Sequence, residues 1–307
     1  IQSFQKVFFF LFCNEPQTLI EELVRQKDRL QEVSLYNIVI GSPCVYADPA
    51  CLSHFKIRTF LSSSQLKKAF LKKACDYVPV NLSDIPQWIK EENIDVALVQ
   101  VSPPNEEGYC NLGISVDVVQ TLIKHANIVI AEVNNALPFT YGDTFVHVSS
   151  INHFVESQHG LLTIPYGKPS EEELTIGKHV STLIPDYATI QVGIGKIANS
   201  VLLSLKSKKG LGIHSGSITD PVIELMEQGV ITNERKEINR YKTVCTTLTG
   251  TNELYEYCHR NKNIELFPTD YTHNATIISN ISNFYSVNSA LEVSLSGQIN
   301  AEQVGDY

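Results

Sequence analysis

The sequence predicts an α/β protein with mostly parallel sheets, organised as two α/β units. Three observations carry that prediction. Strand-length runs rich in Val and Ile alternate with amphipathic helical patterns, the order of βα repeats. The runs are nearly continuous rather than alternating, as in strands covered by helices on both faces. The 307 residues are enough for two cores.

The elements follow in order. Lys6–Phe12 is strongly apolar and is expected to be a buried central strand. It is far short of the roughly 20 residues of a membrane span, and it lacks the small-residue cleavage site of a signal peptide. Pro16–Arg29 puts Leu19, Ile20, Leu23 and Val24 on one helical stripe. Further strands are expected at Tyr36–Gly41, Asp95–Val101 and Asn127–Val133, with a helix over Val116–Ala126. The polar segment Tyr166–Ser170 is the expected linker, dividing the chain into units of residues 1–168 and 169–307. Ser170 then N-caps a helix, and Glu173 completes a capping box. Strands Thr189–Gly193, Gly210–His214 and Lys242–Leu248 close the pattern.

Composition narrows the function classes. A net charge of -9 argues against a protein that coats nucleic acid, since phosphate contacts need clustered Lys and Arg. The local runs Lys67, Lys68, Lys72, Lys73 and Lys206, Lys208, Lys209 read as solvated helix faces or ends. Seven scattered cysteines without a C-x-x-C pair predict neither a disulfide framework nor a zinc site, and no metal is expected. Reduced thiols fit the cytoplasm, and a mitochondrial location is also compatible. No membrane partner is expected.

Four segments could carry chemistry. Gly193-Ile194-Gly195-Lys196-Ile197 joins a strand to a helix, where bare backbone N–H groups can approach an anion or carbonyl. Such a turn also serves simple packing. It is not the dinucleotide fingerprint, because Ala198 holds the third glycine position. The loop from Ser102-Pro103-Pro104 to Gly113 and the loop from Asn134 through Pro138 and Phe139 both follow strands. They therefore lie at carboxyl ends, where open α/β sheets bind ligands. Stiff connections or bland turns are the competing readings. Gly297 ends the run Ala290–Leu295 and could expose an oxyanion N–H, or could be a hairpin turn.

Taken together, six blocks resemble the acetyl-CoA hydrolase/CoA-transferase family, which includes 4-hydroxybutyrate and butyrate–acetate CoA-transferases. They are NEPQTLIEEL (Asn14–Leu23), DVALVQVSPPNEEGYCNLGISVDV (Asp95–Val118), EVNNALPFTYGD (Glu132–Asp143), VGIGKIANSVL (Val192–Leu202), LGIHSGSITDPVIELMEQGVITN (Leu211–Asn233) and SVNSALEVSLSGQIN (Ser286–Asn300). The resemblance implies two α/β domains with the site between them. It implies no cofactor beyond the acyl-CoA substrate, and a small carboxylate as second partner. It implies a homo-oligomer, or a hetero-oligomer with a paralogue. In the family, a glutamate in an H-[ST]-E-M segment attacks the thioester, passes through an anhydride and carries CoA as a glutamyl thioester. The resemblance puts the CoA-binding turn at Gly193, Ile194, Gly195, Lys196 and Ile197, and the substrate pocket at Ser102, Pro103, Pro104, Asn134, Pro138 and Phe139. Gly297 would be the oxyanion glycine.

This chain departs from that pattern where the chemistry lies. The glutamate position falls on Gly216, and the next residue is Ser217 rather than Met. Phe8–Phe12 replaces an early glycine turn, Phe139 stands for an arginine and Ser294 for an acid. The family pattern continues beyond Tyr307, so the second unit is expected to be cut short. Asp220, before Pro221, reads as a helix cap, and Glu224 lies one turn inside; neither is placed as a substitute nucleophile. A serine hydrolase built from His214 with Ser215 or Ser217 is disfavoured, because an extended segment would not turn them together. Three functions follow: a divergent acyl-CoA protein without glutamate-based CoA transfer, a non-catalytic acyl-CoA binder or scaffold paired with an active paralogue, and a repurposed acyl-transfer or thioester-hydrolysing enzyme.

Overall fold

Seven parallel strands organise the first part of the chain. The computed structural model describes residues 1–9, 12–38, 44–61 and 63–301. The strands are β1 (Lys6–Phe9), β2 (Val33–Asn37), β3 (Phe55–Thr59), β4 (Cys75–Tyr77), β5 (Val96–Val101), β7 (Ile128–Val133) and β10 (His153–Glu156). Three others, β6 (Tyr109–Asn111), β8 (Tyr141–Gly142) and β9 (Phe145–His147), lie outside that sheet. The spatial order is β10-β7-β5-β1-β2-β3-β4. The order reverses at β1, which pairs with both β2 and β5, and such a switch point leaves a crevice at the strands' carboxyl ends. Side chains alternate: Val7 and Phe9 enter one core with Leu35 and Leu98, while Phe8 enters the other with Tyr36 and Val99.

Helices α1 (Gln17–Arg25), α2 (Lys67–Leu71), α3 (Ile85–Glu92) and α4 (Val119–His125) connect these strands. Glu132, fully buried on β7, accepts from the Leu19 N–H at 3.1 Å and the Thr18 hydroxyl at 3.0 Å. It thereby caps α1 from a neighbouring strand, where a negative charge is favoured.

The later elements are α5 (Glu171–Leu183), β11 (Thr189–Val192), α6 (Lys196–Leu203), β12 (Gly212–Ile213), β13 (Ser217–Ile218), α7 (Pro221–Glu227), β14 (Thr243–Cys245) and β15 (Thr247–Leu248). They continue with α8 (Asn252–Cys258), β16 (Ile264–Leu266), α9 (Thr269–Thr272), α10 (Ala275–Ile278), β17 (Phe284–Val287), β18 (Glu292–Val293) and β19 (Ile299–Asn300). The Ser170–Glu173 capping box opens α5, with both reciprocal hydrogen bonds made. Small parallel sheets form as β12-β11-β17, β13-β15 and β14-β16-β8. The last takes β8 from the first part of the chain. One core runs from Val99 through Leu112 and Ile190 to Leu248. Among the described residues the only antiparallel ladders are β6–β9 and the β18–β19 hairpin, so the mostly parallel α/β architecture stands as expected.

Several boundaries differ from the sequence reading. The expected strand Lys6–Phe12 ends at Phe9, and a 3-10 turn occupies Phe12–Asn14; Phe10 and Leu11 lie outside the described residues. The expected Tyr36–Gly41 strand begins earlier, at Val33, and residues 39–41 also lie outside. The long helix Pro16–Arg29 breaks at Gln26 into α1 and a 3-10 turn over Lys27–Arg29. Lys242–Leu248 is two short strands, because its partner changes from β16 to β13.

Candidate functional site

The segment Gly212–Ile218 threads between three partners. The His214 N–H donates to Ile190 O at 3.1 Å, the Ser215 N–H to Val244 O at 3.0 Å, and Gly216 O accepts from the Thr246 and Thr247 N–H groups, each at 3.0 Å. Its backbone is therefore fixed on both sides, and alternate side chains face opposite ways. Ser215 and Ser217 face β11, where they line a cavity of about 10 Å³ with Gly193 and Thr219. That is close to the smallest space that holds one water.

The other face carries His214 and the vacancy at Gly216. A Cβ built on Gly216 would meet the His273 ring, 2.9 Å from both Cε1 and Nε2. Gly216 and His273 are half-buried. The two histidines of this face share Thr272. The His214 Nε2 lies 3.0 Å from Thr272 O, and the His273 Nδ1 lies 2.9 Å from the Thr272 hydroxyl. A carbonyl can only accept, so His214 carries its proton on Nε2. Its Nδ1 is buried without a partner. Burial first, then the nearby Lys236 ammonium, pushes the His214 imidazole down to about 4. Burial also holds His273 below the ordinary histidine value.

The His214 shift fixes an acid response. Below about pH 6.5 the unfolded chain takes up a proton on this side chain, while the folded one stays neutral until about 4. Stability is therefore present above pH 6.5 and lost as pH falls through that window, by about 3 kcal/mol. Urea unfolding at pH 7 and pH 4.5 should show a larger loss for the wild type than for His214→Gln. Equal losses would exclude His214 as the source.

The glycine turn joins β11 to α6. Gly195 has φ +118, a conformation that favours glycine. Gly193 packs beside Asn288, whose Oδ1 would lie 3.2 Å from a Cβ there. The structure thus brings Gly193 to Ser215 and Ser217 on one side and to the Ser286–Asn300 block on the other. Ile194 and Lys196 are exposed, and Ile197 is half-buried. A side chain at 216 would emerge toward His273.

The first-part residues sit at the ends of β5 and β7. Ser102 Oγ accepts from the Asn111 N–H at 2.8 Å and donates to Pro103 O at 2.9 Å, holding the loop against β6; Pro103 and Pro104 are exposed. Asn134 is buried in an amide chain: its Nδ2 donates to Gln100 Oε1 at 2.6 Å, and the Gln100 Nε2 to Asn14 Oδ1 at 3.0 Å. That chain ties three of the sequence blocks together. Leu137 and Pro138 line a groove of about 450 Å³ with Leu161, Tyr255 and His259; the residues 102–104 do not line it. Phe139 packs edge-on against Tyr141 and Phe145, with the Arg260 guanidinium 5.8 Å from its ring centre.

Two readings change. Gly297 turns the β18–β19 hairpin, and its N–H donates to Ser294 O at 3.0 Å. That N–H is therefore engaged and is not an open oxyanion donor. Asp220 precedes α7 but makes no side-chain bond to it; its Oδ1 accepts from the Thr251 N–H at 3.0 Å and from the Thr251 hydroxyl. It clasps the start of α8 instead of capping its own helix.

Sequence reasoning passed over His273, Lys236 and Asp117. Lys236 is buried and donates to Ile213 O at 2.6 Å and Lys242 O at 2.7 Å; burial pushes its ammonium down to about 7. Asp117 is buried on Thr269, and desolvation raises its carboxyl to about 6. Nothing in the local sequence marks these positions, since each acquires its surroundings from distant segments. Among the described residues no cluster of His, Cys, Asp and Glu is placed to hold a metal ion, and no helix is long and apolar enough to cross a membrane.

The fold is that of the CoA-transferase class. 4-Hydroxybutyrate CoA-transferase from Porphyromonas gingivalis superposes with a TM-score of 0.85 at 30% identity, over 97% of this chain and 72% of that one. RipA from Yersinia pestis gives a TM-score of 0.92 at 28% identity, over 98% and 73%. The chain belongs to the acetyl-CoA hydrolase/transferase family: the family's N-terminal domain matches residues 1–164 and its C-terminal domain residues 250–307. It is 38% identical to 4-hydroxybutyrate coenzyme A transferase of Clostridium kluyveri, over 99% of this chain and 72% of that protein. It is 33% identical to succinyl-CoA:cyclohexane-1-carboxylate CoA transferase of Geobacter metallireducens, over 99% and 70%.

Proposed function

We propose that the protein binds short acyl-CoA thioesters and does not run CoA transfer through a glutamyl intermediate. The observation that carries this reading is the 216 position: it offers no carboxylate, and the His273 ring fills the space one would enter. The relatives act on CoA thioesters with carboxylate acceptors, by their names, and the shared fold supports a common ligand. We assign the thioester's approach to Gly193–Ile197 and the acyl side to the Ser102–Pro104 and Asn134–Phe139 loops. We place the division between the two units at residues 168–169, within a stretch, 157–170, that carries no helix or strand.

Losing a covalent nucleophile removes several orders of magnitude of rate and leaves binding in place. With acetyl-, butyryl- or 4-hydroxybutyryl-CoA and isotopically labelled acetate, label exchange should stay at background while calorimetry shows CoA binding. Exchange at an ordinary turnover of about 1–10³ s⁻¹ would overturn the transfer half of the reading. Absence of binding would overturn the other half.

A further inference from the structure

The imidazole above Gly216 is positioned for more than filling space. Its Nδ1 faces the Thr272 hydroxyl, which lies 3.3 Å from Pro268 O and 3.5 Å from Thr246 Oγ1. Thr246 in turn gives its proton to Phe267 O. Run in that direction, the chain has His273 donating from Nδ1, Thr272 passing its proton on and Thr246 ending at a carbonyl. Nε2 is then the bare nitrogen, and it is one of the two ring atoms nearest the 216 vacancy. Among the described residues Nε2 makes no hydrogen bond. The buried Nδ1 of His214, whose ring is held by the same Thr272, is a second acceptor without a partner. A buried acceptor left alone is destabilising unless a water or ligand donates to it. A free nitrogen on each of two rings anchored by Thr272 suits a donor such as water.

We propose that His273 has taken over the position vacated at Gly216 and is the base of a hydrolytic site for acyl-CoA thioesters. The inference rests on the CoA-thioester reading above and adds the reaction and the residue. A water gives a proton to His273 Nε2 as its oxygen bonds to the thioester carbonyl carbon. The tetrahedral adduct collapses, the carbon–sulfur bond breaks and the sulfur leaves as thiolate. The imidazolium then returns the proton to sulfur, giving a carboxylic acid and free CoA, with no further reactant. Burial, which keeps His273 neutral, preserves the form that accepts a proton.

The test uses the full chain with acetyl-, butyryl-, 4-hydroxybutyryl- and succinyl-CoA, following free CoA by chromatography with no carboxylate acceptor. Binding is measured separately with a non-hydrolysable dethia analogue of acetyl-CoA. Wild type should hydrolyse at least one thioester above the uncatalysed rate. His273→Gln should lower kcat by about 100-fold or more, the usual range for a general base, with KM and analogue affinity within threefold. Gly216→Ala is a second variant, because its methyl would displace the ring; it should lower kcat in the same way and decides the matter if His273→Gln does not fold. Wild type that binds the analogue but hydrolyses none of the four overturns this inference and leaves the binding reading standing. Hydrolysis indifferent to both substitutions also overturns it. Failure to bind the analogue removes the CoA reading and this one with it.

Discussion

Gly216→Glu alone is expected to leave CoA exchange near background, whereas Gly216→Glu combined with His273→Ala is expected to raise it about 100-fold or more, the scale on which a covalent nucleophile acts. The first carbon of a new side chain would lie 2.9 Å from two atoms of the His273 ring. That ring is tethered through Nδ1 to Thr272, which resists its moving aside. Removing it opens the path along which a glutamate would extend. Residue 216 is otherwise ready for a side chain: its φ is not positive and its carbonyl is anchored by Thr246 and Thr247. The informative readout is a glutamyl-CoA thioester trapped by borohydride and found by mass spectrometry in the double variant. Equal exchange by single and double variants would show that His273 does not block the position.

Gly142→Ala is expected to remove about 3–5 kcal/mol of stability, a large share of the 5–15 kcal/mol that domains typically have. Two effects add. Gly142 has φ +104, which an L-residue adopts only under strain. Its added Cβ would lie 2.2 Å from Leu266 O and 2.7 Å from Leu266 N. These are backbone atoms of the paired strand β16, so neither neighbour can rotate away. Gly160→Ala is the control, since nothing lies within 4 Å of its Cβ position. Urea midpoints at constant m should separate the two variants clearly. A Gly142→Ala midpoint matching the control would mean that β8 yields without loss.

The parts of this fold that were legible in the sequence are those decided locally. The runs Val96–Val101 and Ile128–Val133 are apolar almost throughout, so their strands begin within one residue of the expected positions. The Ser170 cap depends on residues three apart, and it formed as read. What escaped depends on partners. Phe55–Thr59 carries Lys56 and Arg58, and becomes a strand because β2 and β4 flank it. Two-residue strands such as β8 and β13 have no pattern of their own. The site divides in the same way. Gly216 stood out because the surrounding block fixes its place, whereas His273 meets it from a different part of the chain, on a segment with no motif. Asn134 read either as a pocket residue or as part of a bland turn; its amide contacts reach Gln100 on β5 and, through it, Asn14. Asp220 looked like a cap to α7, but its carboxylate was claimed by Thr251, which the helix register alone does not show.

The seven cysteines, all buried, have a consequence for how the chain meets small thiols. Burial raises Cys13 to about 11, and Cys75 and Cys258 to about 12. At neutral pH such groups hold roughly one thiolate in 10⁴ or fewer, and the thiolate is the form that exchanges with disulfides. Coenzyme A or glutathione disulfide would find almost nothing to attack or be attacked by. Those buried thiols are therefore poor partners for exchange in the folded chain, whatever the oxidation state of the thiol pool around it.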